Sequence, residues 1–316
     1  MKHLSIKSLI IAVVVLVSAC NNPKNNEQKE AGETIHIEHN LGVIDAPLNP
    51  EKVVVFDIGA LETLTELGIT VAGAPLDNLP HHLSQLKEDE NIVDVGTVKK
   101  ANLEKINALN PDLIIISGRL QDSYKELSKI APTLFIEIDR DDYMGSYKSN
   151  TLLLAELYNK EAEAQEKLDE IDQDVQKAKE TVEGNANKGL VVLYNNGKFS
   201  AYGSASRFGF MHDVLGLDAA VEDLEVSTHG QRVSNEFIMN ANPDYLFIID
   251  RNMIVNKQAT NKKEIENALI QKTNAYKNGK IIYLNPEIWY ISQGGLTSTR
   301  EMIKEILAAI DRKSVV

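Results

Sequence analysis

Asn102-Leu-Glu-Lys-Ile-Asn-Ala-Leu-Asn-Pro-Asp112 returns later in the chain as Ser234-Asn-Glu-Phe-Ile-Met-Asn-Ala-Asn-Pro-Asp244. Both copies read as a helix, an Asn-Pro-Asp turn and a strand. Both strands run into an arginine at the same offset, Ile114-Ile-Ile-Ser-Gly-Arg119 in one and Leu246-Phe-Ile-Ile-Asp-Arg251 in the other. The repeat is a structural unit and not a catalytic motif. Its value is positional, because open α/β sheets bind ligands just beyond the carboxyl ends of their strands. Arg119 and Arg251 are therefore expected to face one cleft from two lobes.

The pattern extends outward from each copy. Around the first, Thr34 to Ile37 and Val43 to Asp45 read as a strand pair. Val53 to Phe56, Val71 to Ala74, Leu113 to Ser117 and Leu134 to Ile138 are continuous, β-branched runs of the kind that form buried parallel strands. Helical stretches lie between them at Gly59 to Leu67, Leu103 to Leu109 and Asp122 to Lys129. Around the second copy, Leu190 to Tyr194, Tyr245 to Asp250 and Lys280 to Leu284 read as strands, with helices near Phe208 to Leu215, Asn235 to Asn240 and Lys262 to Gln271. From Thr151 to Glu183 there is neither Gly nor Pro, and Glu, Lys, Ala and Leu dominate, so this stretch is expected to be one helix acting as a strut. The fold class is α/β, with two Rossmann-like βαβ lobes over 33–150 and 185–316. A single long helix over 151–184 joins them, and the ligand cleft lies between them.

The amino terminus carries Lys2 and Lys7, an apolar run from Leu9 to Val17, and Val17-Ser18-Ala19-Cys20. That run is shorter than the roughly 20 residues needed to span a bilayer, so residues 1–19 read as a signal peptide. The small residues before Cys20 resemble the lipobox of bacterial lipoproteins, which makes Cys20 the expected lipidation site and residues 20–32 a polar tether. Cys20 is the only cysteine, so no internal disulfide can form. A formal net charge of −13 argues against a nucleic-acid partner.

Several polar residues outside the periodic segments could carry chemistry. Arg207 lies in Gly203-Ser-Ala-Ser-Arg207-Phe-Gly, and the guanidinium fork of Arg119, Arg207 and Arg251 suits clustered oxygen anions. His229 sits in Ser227-Thr-His-Gly-Gln-Arg232, which has no strand or helix period. Trp289, the only tryptophan, and Tyr290 follow the last strand as an aromatic pair that either lids the core or walls a site.

Taken together, the lipobox, the two-lobe pattern, the repeat and the His229 and Tyr290 segments resemble the bacterial solute-binding proteins of ferric siderophore, haem and cobalamin importers. Within that class the chain is most similar, from about residue 33 to 316, to catecholate binders of the enterobactin and petrobactin type. The resemblance implies that Arg119, Arg207 and Arg251 surround the catecholate oxygens. It also implies that His229 and Tyr290 complete iron coordination when a siderophore supplies only two catecholates. Linker atoms of the ligand are expected to stack on Trp289 or Tyr194. One acidic residue per lobe is expected to meet the importer, Glu62 in the first and Glu236 in the second, with Glu222 close behind. The implied protein is a monomer with no intrinsic cofactor. It carries Fe(III) as a siderophore complex to an ABC permease and its ATPase, from a lipid anchor on the outer face of a Gram-positive cell membrane.

Rival readings are a zinc or manganese receptor built on some of the seven histidines, a haem binder using Tyr290 and His229 as axial ligands, and a siderophore esterase. Zinc needs three or four ligands in fixed geometry, and the histidines come without a His-rich loop. Three arginines suit an oxyanion cluster better than two haem propionates do. No Gly-x-Ser-x-Gly elbow, P-loop or Gly-x-Gly-x-x-Gly fingerprint is present, so a binder and not an enzyme is expected.

Overall fold

A computed structural model describes residues 33–311. The expected signal peptide, Cys20 and the tether to residue 32 lie outside the described residues. An antiparallel hairpin of β1 (Thr34–His39) and β2 (Gly42–Pro47) comes first. It is followed by β3 (Val53–Val55), β4 (Gly73–Ala74) and β5 (Val93–Asp94), and then by a small hairpin of β6 (Gly96–Thr97) and β7 (Lys100–Ala101). With β8 (Leu113–Ile116) and β9 (Thr133–Phe135), a parallel sheet of order β5-β4-β3-β8-β9 is complete.

The second sheet uses β10 (Gly189–Asn195), β11 (Lys198–Tyr202), β12 (Gln231–Val233), β13 (Tyr245–Asp250) and β14 (Ile281–Leu284), in the order β12-β11-β10-β13-β14. β10, β13 and β14 pair in parallel, whereas β11 pairs antiparallel with both β10 and the edge strand β12. Asn196-Gly197 turns β10 into β11 with φ of 48° and 78°. Positive φ at both central residues is what a tight hairpin with the twist of its strands requires. The edge strand β12 takes in Gln231 and Arg232, which the sequence had presented as part of an aperiodic segment.

The repeat folds as one unit twice. Asn102 and Ser234 cap their helices by accepting from Lys105 N and Phe237 N. Asn110 and Asn242 end them in the left-handed conformation, at φ 48° and 43°, which Asn tolerates and which a following proline prevents from becoming another turn. The aspartate then reaches sideways. Asp112 accepts from Glu51 N and Lys52 N at 3.0 and 2.9 Å, and Asp244 from Lys188 N at 3.0 Å. In each lobe the motif fixes the register between the strand it starts and the parallel neighbour, Val53 opposite Leu113 and Gly189 opposite Tyr245.

The single strut is replaced by two helices, Tyr143–Glu156 and Glu161–Glu183. The chain turns through Leu157 to Lys160, with Asn159 at φ 54°. Asn tolerates the left-handed region at little cost, so an Asn inside an otherwise helical composition was enough to break it. The second helix buries Ala164, Leu168, Ile171, Val175, Ala178 and Val182, a stripe at helical spacing. Each of its larger aliphatic side chains contributes about 1.5–3 kcal/mol on burial.

Strand alternation divides each sheet between two layers. Val53, Val55, Leu113 and Ile115 of the first sheet share one apolar cluster with Val191, Phe247 and Ile249 of the second, and with the linking and last helices. The opposite faces pack separately, Val54 and Ile114 in one layer, Leu190, Val192 and Tyr194 in another. One apolar core is thus continuous through both lobes.

Candidate functional site

Between the carboxyl ends of the two sheets lies a cavity of about 770 Å³. The turn after β8 brings Arg119 to it, and the end of β13 brings Arg251. Arg207 comes from the loop after β11, and the π-helical turn Glu287–Ile291 after β14 brings Tyr290. Such turns recur at functional sites.

The three arginines converge on Tyr290. Nη2 of Arg119 and Nη2 of Arg207 both donate to its carbonyl oxygen at 2.7 Å. Nε of Arg251 donates to its hydroxyl at 2.8 Å, while Nη1 donates to Asn195 Oδ1 at 3.0 Å. The Arg207 guanidinium also lies 4.4 Å from the centre of the Tyr290 ring, within cation–π range. Burial, and then the neighbouring charge of Arg119, push the Arg207 pKa down to about 10. Burial alone would raise the Tyr290 phenol, but the Arg251 hydrogen bond and the charges of Arg207 and Arg251 outweigh it and leave the pKa below the ordinary tyrosine value. The cluster is a site short of anions, and its cations favour the charged form of the phenol.

Four further cations line the same cavity: Lys99, Arg140, Lys198 and Arg232. Among the described residues none of the seven basic groups forms an ion pair with a carboxylate. Among the described residues the only lining carboxylates are Asp57, which accepts from Ala60 N and Ser117 Oγ, and Glu137, which accepts from Asn40 Nδ2. A chain of net charge −13 thus holds a strongly positive cleft. Arg232 and Ser200 are register partners on β12 and β11. Arg140 reaches across the mouth to Thr228 Oγ1 at 3.4 Å, beside His229. Sequence reasoning missed these four, although Phe135-Ile-Glu-Ile-Asp-Arg140 has the strand-then-arginine form that singled out Arg251.

His229 lines the cavity from an exposed loop closed by Gly230 N on Ser227 O. The other described histidines are dispersed. His36 faces Asp45, His39 packs on Tyr124, His82 meets Glu62, and His212 contacts Leu217 O. No cluster of three or more potential metal ligands exists among the described residues.

Three expected site residues are placed elsewhere. Trp289 is fully buried, donates from Nε1 to Glu305 at 2.7 Å and packs against Phe210, so it belongs to the core and not to a wall of the cavity. Tyr194 shares its face of β10 with Leu190 and Val192, and strand periodicity turns it away from the cleft to pack edge-on against Phe199. Glu62 is 1% exposed and accepts from Ser298 N and His82, which removes it as a contact for another protein. Glu236 and Glu222 are exposed.

The periplasmic binding protein family matches residues 53–288. The petrobactin-binding protein YclQ of Bacillus subtilis is 42% identical over 99% of this chain and all of its own length. Its crystal structure superposes with a TM-score of 0.86 at 44% identity, covering 89% of this chain and 100% of that one. The ferric-anguibactin-binding protein FatB of Vibrio anguillarum is 38% identical over 86% of each chain. The catecholate-siderophore binding protein VctP of Vibrio cholerae superposes with a TM-score of 0.82 at 32% identity, over 87% of this chain and 100% of that one.

Proposed function

The chain belongs to the periplasmic binding protein family, and from that premise we infer that it is the extracytoplasmic substrate-binding component of an ABC importer for ferric siderophores of catecholate type. The observation that carries this reading is the convergence of Arg119, Arg207 and Arg251 on Tyr290 in a cavity whose cations have no ion-pair partner among the described residues. Ferric iron is a hard cation that prefers oxygen ligands, and catecholate oxygens leave its complexes anionic. Guanidinium groups already facing one another meet such a complex without reorganising, as binding electrostatics favours. Relatives that bind petrobactin, ferric anguibactin and catecholate siderophores support the same ligand class.

A bis-catecholate leaves two iron positions open, and His229 with the Tyr290 phenolate fills them. No intrinsic cofactor is involved, and iron enters only as cargo. Cys20 anchors the monomer by lipid to the outer face of a Gram-positive membrane, and a permease with its ATPase receives the ligand, with Glu236 the exposed contact on the second lobe.

Ferric bis-catecholate, tris-catecholate, hydroxamate, citrate, haem and zinc are titrated while the fluorescence of Trp289 is followed, one residue from Tyr290. Tight quenching by catecholates alone is expected. In the bis-catecholate complex Tyr290→Phe removes the phenolate-to-iron contribution to the visible spectrum. A response confined to haem or zinc overturns the siderophore reading, and an unchanged spectrum overturns ligation by Tyr290.

A further inference from the structure

Glu62 is a buried carboxylate in the first lobe that the binding chemistry leaves unused. Burying such a group is costly unless it is hydrogen-bonded and paired, so its partners indicate what it is kept for. One oxygen accepts from Ser298 N at 2.8 Å, at the start of the helix Leu296–Ile310, where the helix dipole favours negative charge. The other meets Nε2 of His82. Gly295 packs so tightly on this carboxylate that any Cβ there would overlap it. Gly59, one turn earlier on the same first-lobe helix, is pressed against the backbone from Gln293 to Gly295, where a Cβ would come within 2.6 Å of Gln293 O.

The segment held in this way carries Tyr290. Ser298 Oγ donates to Ser292 O at 2.5 Å, and Ser292 Oγ donates to Glu287 O at 3.0 Å, which closes the turn on which Tyr290 sits. Gln293 Nε2 donates to Arg207 O at 2.9 Å. The far end of the turn is also caught from the first lobe, since His81 N donates to Glu287 Oε2 at 2.8 Å. His81 and His82 are adjacent, so one short segment of the first lobe grips both the entry and, through Glu62, the exit of the Tyr290 turn.

We propose that Glu62 is a positioning residue for the binding cleft, fixing from the first lobe the 287–298 segment of the second and with it the tyrosine on which the three arginines converge. The role rests on the cleft being the binding site, but placement of Tyr290 is measurable without ligand. His82 supports the arrangement. Burial lowers its pKa, while the hydrogen bond and charge of Glu62, with Glu287 and Glu301 nearby, raise it further than burial lowers it.

In the ligand-free protein, the hold on the turn is read as amide hydrogen exchange of residues 287–298. In Glu62→Ala protection of this segment is lost while that of the two sheets is kept, and affinity for ferric bis-catecholate falls about tenfold, the equivalent of about 1.4 kcal/mol. Glu62→Gln keeps an acceptor for Ser298 N and restores both readings to within about twofold. If Glu62→Ala does not fold, His82→Ala, which removes only the outer support, gives a smaller loss of protection in the same segment. A Glu62→Ala or His82→Ala protein that is less heat-stable yet exchanges these amides and binds like the wild type overturns the proposal. A loss of protection confined to 287–298 in a protein whose wild type binds no siderophore sustains the positioning role and overturns the ligand class instead.

Discussion

The two copies of the repeat share a cap, a left-handed asparagine, a register-setting aspartate and an arginine at the same offset, yet they use that arginine differently. After β8 the chain continues as the 3-10 turn Gly118–Ser123, and Arg119 donates to a backbone carbonyl of the other lobe. After β13 it continues as the helix Asn252–Val255, and Arg251 donates to the Tyr290 hydroxyl and to Asn195. A duplicated scaffold therefore delivers a guanidinium to the same cleft twice, and the local path after the strand decides what it touches. One copy holds the backbone of the tyrosine turn. The other tunes its acidity.

The largest effect is expected from breaking that difference directly. Arg251→Ala removes a charge from the ligand cradle and the donor that lowers the Tyr290 pKa. It should weaken ferric bis-catecholate binding about a hundredfold, in the range for truncating a buried charged hydrogen bond. Arg119→Ala removes a charge but leaves the phenol's donor in place, and about tenfold is expected. The pH dependence separates them further. The Tyr290 phenolate is favoured in the fold, so its contribution is present above the unfolded tyrosine value and is lost as pH falls through the lower folded one. With Arg251 gone the folded value rises, so the deficit of Arg251→Ala should grow as pH is lowered while that of Arg119→Ala stays flat. Equal losses with equal pH profiles would mean that the two arginines act only as charges.

The repeat made the lobes and the two strand-end arginines legible, because helix, Asn-Pro-Asp and β-branched strand are local patterns whose consequence is topological. What escaped depended on tertiary placement. Asn159 looked like one polar residue in a helical composition, and the φ it adopts at the break is not written in its neighbours. Trp289 and Tyr290 are adjacent and both aromatic, and only the π-helical turn decides that one enters the core and the other the cleft. Tyr194 could have been assigned by alternation, since Leu190, Val192 and Tyr194 must share a face. Arg140 could have been found by the rule already applied to Arg251. Glu62 matched a surface role in sequence, but its burial follows from Gly59 and Gly295, far apart in the chain, letting two backbones close over it.

A smaller effect tests whether the copies are equivalent below the arginines. Asp112 accepts from two backbone N–H groups, and Asp244 from one backbone N–H and from Asn274 Nδ2 at 3.1 Å. Alanine at either position should cost about 1–2 kcal/mol in urea unfolding, the scale of hydrogen bonds to a partly solvated charged acceptor. Siderophore affinity, corrected for unfolded protein, should stay unchanged. A selective loss of binding in one variant would show that register in that lobe transmits to its arginine.

The smallest expected difference lies at the left-handed asparagines. Replacing Asn110 by Gly relieves the strain of φ 48°, roughly 1 kcal/mol for an ordinary side chain and less for Asn. It also frees the unfolded chain, which costs roughly 0.4–1 kcal/mol. The two nearly cancel, and Asn110 is exposed without a side-chain hydrogen bond to another described residue, so stability should move by under about 0.5 kcal/mol. Asn242→Gly has the same two contributions, but its Oδ1 also accepts from Asn274 N at 2.8 Å, at the start of the short helix Asn274–Lys277. Losing that bond adds about 1 kcal/mol of destabilisation. Urea midpoints that fall for Asn242→Gly and stay fixed for Asn110→Gly would show that the second copy has been built into its lobe beyond the shared turn. Equal midpoints would return the two turns to full equivalence and confine the divergence of the copies to the residues after their strands.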